Sequence, residues 1–249
     1  MAPTNFGPDT EQALAAIATN LIELEQFMDF LRSRTFRETL LHRPGLNRVP
    51  NYTLQPALLK GMHIASSLRP TSSPLDLRPG VEQTFESITN FPVKSSSPLV
   101  KSAFLTLALK FPESIPFELL VEQALQQLKR YKVTVDETLE RAATNIGRAL
   151  LTLFTTSEAI EVRAMASPFV TTPSERPTAS LFARVQSVDY EPITTRRHES
   201  TALDETGRAV LRLLDGTRTA SDIAKQLAQP EKEVRDWIDR LGRTALLIA

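Results

Sequence analysis

The residues able to do chemistry are few and scattered. His42, His63 and His198 are the three histidines, and their separations give no spacing for a metal site. There is no cysteine, which removes thiolate nucleophiles, thiolate metal ligands and disulfides. Serines are abundant, but no Gly-x-Ser-x-Gly elbow occurs and no Ser-His-Asp order is interpretable. No carboxylate pair can be assigned general acid and base roles. Gly7, Gly45, Gly61 and Gly80 stand alone, as loop and turn glycines do, and the chain has few glycines for a phosphate-cradling loop. The expected catalytic, cofactor-binding and metal-binding sets are therefore empty.

What is left is recognition. Arg32, Arg34 and Arg37 lie close together. On a continuous helix Arg34 and Arg37 share a face and would offer guanidiniums to an acidic partner or another domain. The alternative pairs them with Asp29 and Glu38 while Phe30, Phe36 and Leu40 pack inside. Arg197 and His198, within Arg196-Arg197-His198-Glu199, are the second candidate contact. The plainer alternative there is a hydrogen-bonded histidine holding a linker.

The elements that must carry these residues are mainly helical. A helix capped by Asp9 or Thr10 keeps one apolar face through Leu14, Ile17, Ala18, Leu21, Leu24, Met28 and Leu31. It continues after a break from Phe36 to Leu41 and stops at His42-Arg43-Pro44-Gly45. Residues 50–97 are less regular. Leu58 to Leu68 alternates as a strand does, Gln83 to Ile88 and Phe91 to Lys94 flank a turn at Asn90, and 69–80 is a loop.

From Ser97 the pattern sharpens. Ser97-Pro98 supplies a cap and a proline at the first helical position. Helices follow from there, from Pro116 and from Asp136, and then a short strand at Ala159–Ala164. Three helices and a strand is winged-helix order. The order repeats near the C-terminus. A helix from Asp204 ends at Asp215-Gly216, Thr219 and Asp222 open the next as a capping-box variant, and Pro230 opens a third with Val234, Trp237, Ile238 and Leu241 inward. Leu246–Ile248 is a candidate last strand. Ala179–Gln186 is a short helix, and Tyr190–Ala202 an extended linker across the surface. The expected fold class is α+β, mainly helical: two tandem winged-helix-like units preceded by an N-terminal helical segment. The expected boundaries are 1–48, 49–170 and 171–249.

Composition narrows the partners. Lys+Arg and Asp+Glu are both 29, so no global field draws the chain to nucleic acid or anionic membrane. From Asp204 to Arg243 eight basic residues face eight acidic ones, without the basic excess of a DNA reader. No apolar run reaches the roughly 20 residues of a membrane span, and the N-terminus lacks a signal-peptide pattern. Cytoplasm is the default location, with no membrane partner and nucleic acid not expected.

Two stretches carry a resemblance. Glu25-Gln26-Phe27-Met28-Asp29-Phe30-Leu31-Arg32-Ser33-Arg34-Thr35-Phe36-Arg37-Glu38-Thr39-Leu40-Leu41 is one. The other is Glu175-Arg176-Pro177-Thr178-Ala179-Ser180-Leu181-Phe182-Ala183-Arg184, with Arg197-His198-Glu199 and Leu214-Asp215-Gly216-Thr217-Arg218. Together they resemble the regulatory, C-terminal region of bacterial S-adenosylmethionine-dependent methyltransferases that include protein-lysine methyltransferases. Residues 203–248 are also similar to PqqD-like winged helices, which bind leader peptides. The resemblance implies a non-catalytic region that binds a protein or peptide substrate. It places S-adenosylmethionine (SAM) on a separate catalytic domain, in cis or in trans, with no cofactor on this chain. Two alternatives stand beside it: a tandem winged-helix regulator that binds nucleic acid, and a stand-alone adaptor for peptides or proteins. The strand edges at Ala159–Ala164 and Leu246–Ile248 are where an extended segment would add.

Overall fold

The computed structural model describes residues 6–36 and 53–249. The N-terminal segment is two helices, not one: α1 (Pro8–Ile17) and α2 (Leu21–Leu31). α1 opens on Pro8 after Gly7, one residue before the expected caps. The break has a local cause. The Asn20 side chain accepts the Glu23 N–H, and the Glu23 carboxylate takes the Thr19 N–H and hydroxyl. That reciprocal capping starts a second helix where periodicity alone predicted continuation. Of the expected apolar face, Leu14 and Met28 are buried, whereas Ile17 and Leu31 are exposed. Phe36 lies outside any helix. The rest of the expected continuation, through Leu41 and the stop at His42, falls outside the described residues.

The middle of the chain builds on a turn of 3-10 helix, Pro56–Leu59. The strands are β1 (His63–Ser66), β2 (Arg69–Pro70), β3 (Gln83–Glu86) and β4 (Pro92–Ser95). Then come α3 (Pro98–Lys110), β5 (Ile115–Pro116), α4 (Phe117–Arg130), α5 (Leu139–Thr156) and β6 (Ile160–Arg163). The strand expected from Leu58 shrinks to β1, because Pro56 starts a helical turn and Gly61 leaves it at a φ of 74°. The turn at Asn90 is real, with φ 59°. α3 begins at Pro98, with Ser97 accepting the Val100 N–H. α5 starts three residues later than Asp136, at Leu139 after a Thr138 cap.

The order α3-β5-α4-α5-β6 is that of a winged helix, with one change. The centre of its sheet is β1, supplied from upstream, in the order β5-β1-β6. Ile64 pairs with Ile115 on one side and Val162 on the other. β2-β3-β4 forms a second antiparallel sheet. Both pack on α3 and its neighbours through Ile64, Phe85, Phe104, Leu120, Ile146 and Leu150.

The C-terminal unit contains α6 (Leu181–Asp189), β7 (Ile193–Thr194), β8 (Ser200–Thr201), α7 (Glu205–Leu213), α8 (Ala220–Leu227) and α9 (Glu231–Arg243). Thr219 and Asp222 form a full capping box. Gly216, at φ 84°, ends the turn after α7, and a Cβ there would meet the Thr178 hydroxyl at 2.6 Å. The expected linker, Tyr190–Ala202, stays largely at the surface, but it folds into the β7–β8 hairpin and buries Ile193 and Thr195. Ala179, Ala183 and Ile193 are buried with Val210, Ile223, Trp237 and Leu241. The reason is small residues: Ala183 and Ser187 let α6 approach closely enough for Arg208 to reach the Ser187 carbonyl. The last residues form a single bridge, Ala179 to Leu247, rather than a regular strand.

Candidate partner interface

Of the five candidate residues, Arg197 holds the most structure. It sits at the tip of the β7–β8 hairpin, on a turn shaped by buried Thr195. The Thr195 hydroxyl accepts the N–H groups of Arg197 and Glu199, and the Thr195 N–H donates to the Glu199 carbonyl at 2.8 Å. His198 takes the left-handed conformation there, φ 61°, and its N–H donates to the Thr195 carbonyl. The turn aims Arg197 away from its own core, into the middle unit. Nη2 donates to Glu161 Oε1 at 2.6 Å and Nη1 to the Pro112 carbonyl at 3.3 Å. The guanidinium lies 4.9 Å from the centre of the Phe111 ring, and Nε binds Glu199 at 3.0 Å. The side chain is only 7% exposed.

Glu161 stands on β6 and also binds Arg163. Burial pushes its pKa up, but hydrogen bonds and charge from Arg163 and Arg197 outweigh that and hold it below the usual carboxylate value. Two further contacts seam the same boundary. Glu113 accepts both the N–H and hydroxyl of Thr171. Ser114 and Ser167 exchange backbone-to-hydroxyl bonds at 3.0 and 3.1 Å. Phe111, Glu113 and Glu161 carried no signal in the sequence, since their partners lie tens of residues away.

The other candidates divide. His198 is exposed. The Arg32 guanidinium lies 4.5 Å from the Phe6 ring centre. Arg34 lies 3.9 Å from Asp29, with 45% of its side chain exposed. Arg37 falls outside the described residues. No hydrogen bond or ion pair joins Arg32 or Arg34 to Arg197 or His198 among the described residues. The inward packing expected of Phe30 and Phe36 does not occur: they are 78% and 87% exposed.

The two strand edges also differ. At Leu246–Ile248 the main chain is already used: Val170 and Ser180 donate to Leu247 and Leu246, and Ile248 donates to Thr178. Among the described residues β6 pairs with β1 alone and ends its sheet. Groups of histidine, aspartate or glutamate able to hold a metal are absent among the described residues, and no described helix is long and apolar enough to cross a membrane.

With this geometry in hand, comparison with known proteins gives a consistent answer. Residues 175–242 match the family model of the PKMT (protein-lysine methyltransferase) C-terminal winged helix domain. The whole chain shares its fold with two solved structures of PKMT2 from Rickettsia typhi. One is the protein itself, with TM-score 0.77 and 20% identity. The other is its complex with AdoHcy, with TM-score 0.77 and 21% identity. All of this chain is covered in each, against 54% and 53% of those chains. The chain thus spans about half the length of the structures it matches. No curated protein matches it.

Proposed function

We propose that this chain is the regulatory and substrate-holding region of a protein-lysine methyltransferase, with SAM carried by a separate catalytic domain. The observation that carries this reading is the matched winged helix at 175–242, fixed to the middle unit by the partly buried Arg197–Glu161 pair. A region built that way presents one rigid surface. Rigidity matters for positioning, because binding energy spent away from the reacting lysine raises its effective concentration at the methyl donor.

Three features support the parts of the reading. Every described strand pairing is antiparallel, so the residues present do not fit a nucleotide cofactor held at the crevice of a parallel sheet. Exposed Phe30 and Phe36, in the same stretch of chain as half-exposed Arg34, suit a surface that another domain covers. The outer edge of β6 suits main-chain pairing with an extended substrate segment.

The test is an assembly isolated from the native source through this chain, then supplied with isotopically labelled SAM. The expected result is label on lysine side chains of a protein substrate, with the methyl donor bound by the other component. An assembly that neither binds SAM nor labels lysine would sink the reading. Micromolar SAM binding by this chain alone, measured by calorimetry, would overturn the separate placement of the cofactor.

A further inference from the structure

One groove on the middle unit has an uncommon combination of floor and rim. It encloses about 440 Å³ between the 3-10 turn Pro56–Leu59 and the first turns of α4 and α5. Its floor is apolar: Pro56, Phe117, Val121, Leu139 and Ala143. Leu139 is 52% exposed although α5 has polar positions to spare for solvent. Gly147 sets the depth. A Cβ on it would lie 2.8 Å from Pro56 Cβ, so only glycine lets the turn settle onto α5 at this height.

The rim is Lys60, Glu118, Glu122 and Glu140, three carboxylates against one ammonium. Glu118 is committed to the fold, since its Oε1 accepts the Gly61 N–H at 2.8 Å and it sits in the first turn of α4, where the helix dipole favours it. Glu140 has the same dipole role in α5. Glu122 has none, lying beyond the first turn of α4. It follows Glu118 by four residues, a like-charge spacing that disfavours the helix. Neither Glu122 nor Glu140 has a side-chain hydrogen bond or ion pair among the described residues. A cation placed at this rim would relieve the repulsion that the isolated chain carries.

We propose that the groove binds a short segment of another protein in which an apolar side chain is flanked by lysine or arginine. The apolar side chain fills the floor, and the basic one runs its methylene stem over Leu139 and Ala143 and ends at Glu122 and Glu140. The inference rests on the reading that this chain holds a protein substrate, and adds the chemistry of the segment it takes.

The test uses the full chain, isotopically labelled for NMR, and an acetylated peptide of sequence Gly-Ser-Lys-Leu-Lys-Ser-Gly. The expected result is shifted amides at 57–60, 117–122 and 139–144. Replacing leucine by serine, or both lysines by glutamate, should abolish them. The double variant Glu122→Gln, Glu140→Gln removes a favourable dipole contact at Glu140 and an unfavourable like-charge spacing at Glu122, small effects of opposite sign, so it should keep the thermal midpoint while weakening the peptide about tenfold, equivalent to about 1.4 kcal/mol. Equal affinity for the glutamate peptide, an unaffected double variant, or no binding at millimolar peptide overturns the groove. Shifts confined to β6 also overturn it, yet leave the substrate-holding role standing. Groove binding in an assembly that never methylates lysine would remove the proposed function instead.

Discussion

Arg197 Nη2 and Glu161 Oε1, 36 residues apart in sequence, lie 2.6 Å apart across the boundary between the two winged-helix-like units. The pair closes a circuit: a hairpin of the C-terminal unit supplies the cation, and the edge strand of the middle unit supplies the anion. Replacing Arg197 with methionine keeps much of the stem but strands Glu161 beside Arg163 alone and leaves the Pro112 carbonyl unbound. We expect a loss of about 2 kcal/mol, the scale for a charged hydrogen bond removed from a partly buried site. Urea unfolding measures it. Limited proteolysis should also show faster cleavage between 164 and 176, where the boundary segment depends on the same seam.

Acid should weaken the fold through a small set of carboxylates. Hydrogen bonds from the Arg78 side chain and backbone pull Asp76 to about 2. The Thr217 hydroxyl and N–H, then Arg218, hold Asp215 well below its usual range. Glu161 is also lowered. Each folded-state value lies under its unfolded one, so each contributes stability that is present above the unfolded values of about 3.9 to 4.3. That contribution is lost as pH falls through the folded values, toward about 2. Urea midpoints measured from neutral pH downward should be flat to about pH 5 and then fall. In Asp215→Asn the fall should be shallower, because one titrating group has gone. An unchanged slope in that variant would show that Asp215 is not linked to folding.

Lys101 is the sharpest case of a residue whose role is invisible along the chain. It is fully buried in α3, and its ammonium donates to the carbonyls of Asp76, Arg78 and Val81 at 2.8, 2.8 and 2.9 Å. One side chain thus ties down the loop that precedes β3. Lys101→Met matches its length but leaves three carbonyls without a donor. A loss of about 3 kcal/mol follows from unsatisfied polar groups at this depth, and the thermal midpoint should drop accordingly. Hydrogen exchange should quicken at 76–82 before it does in α4 or α5.

What the sequence disclosed was local, and what it hid was not. Ser97-Pro98, the Thr219 and Asp222 box and Pro230 each mark a helix start through bonds within a few residues, so their signals survive without tertiary context. The break at Asn20 is equally local, yet apolar periodicity across it concealed the cap. Lys101 reads as an ordinary helix-surface lysine because the carbonyls it binds lie 20 to 25 residues upstream. Of the candidate interface, Arg197 was found by its place in a motif, but its partner Glu161 was not, since nothing in either neighbourhood points to the other. Ala183 lay in the expected short helix, but nothing along the chain marked the smallness of Ala183 and Ser187 as what seats α6 against α7.

Gly207 and Trp237 test how tightly the matched winged helix is packed. Gly207 lies within α7, where alanine is intrinsically better by about 1 kcal/mol. A Cβ there would stand 2.7, 2.8 and 3.0 Å from three ring carbons of Trp237, inside the contact distance of any real side chain. The indole is 9% exposed and is held between Gly207 and the Arg240 guanidinium, 4.0 Å from the ring centre. Overpacking at such a site costs about 1 to 3 kcal/mol, enough to cancel the helix gain or reverse it. We therefore expect Gly207→Ala to be no more stable than the parent and most often less so by about 1 kcal/mol. Trp237 is the single tryptophan, so its emission reports the displacement directly, shifting to the red in the folded variant. A variant stabilised by the full helix propensity, with unshifted emission, would mean that the ring yields freely and that the close approach of α7 and α9 does not depend on glycine.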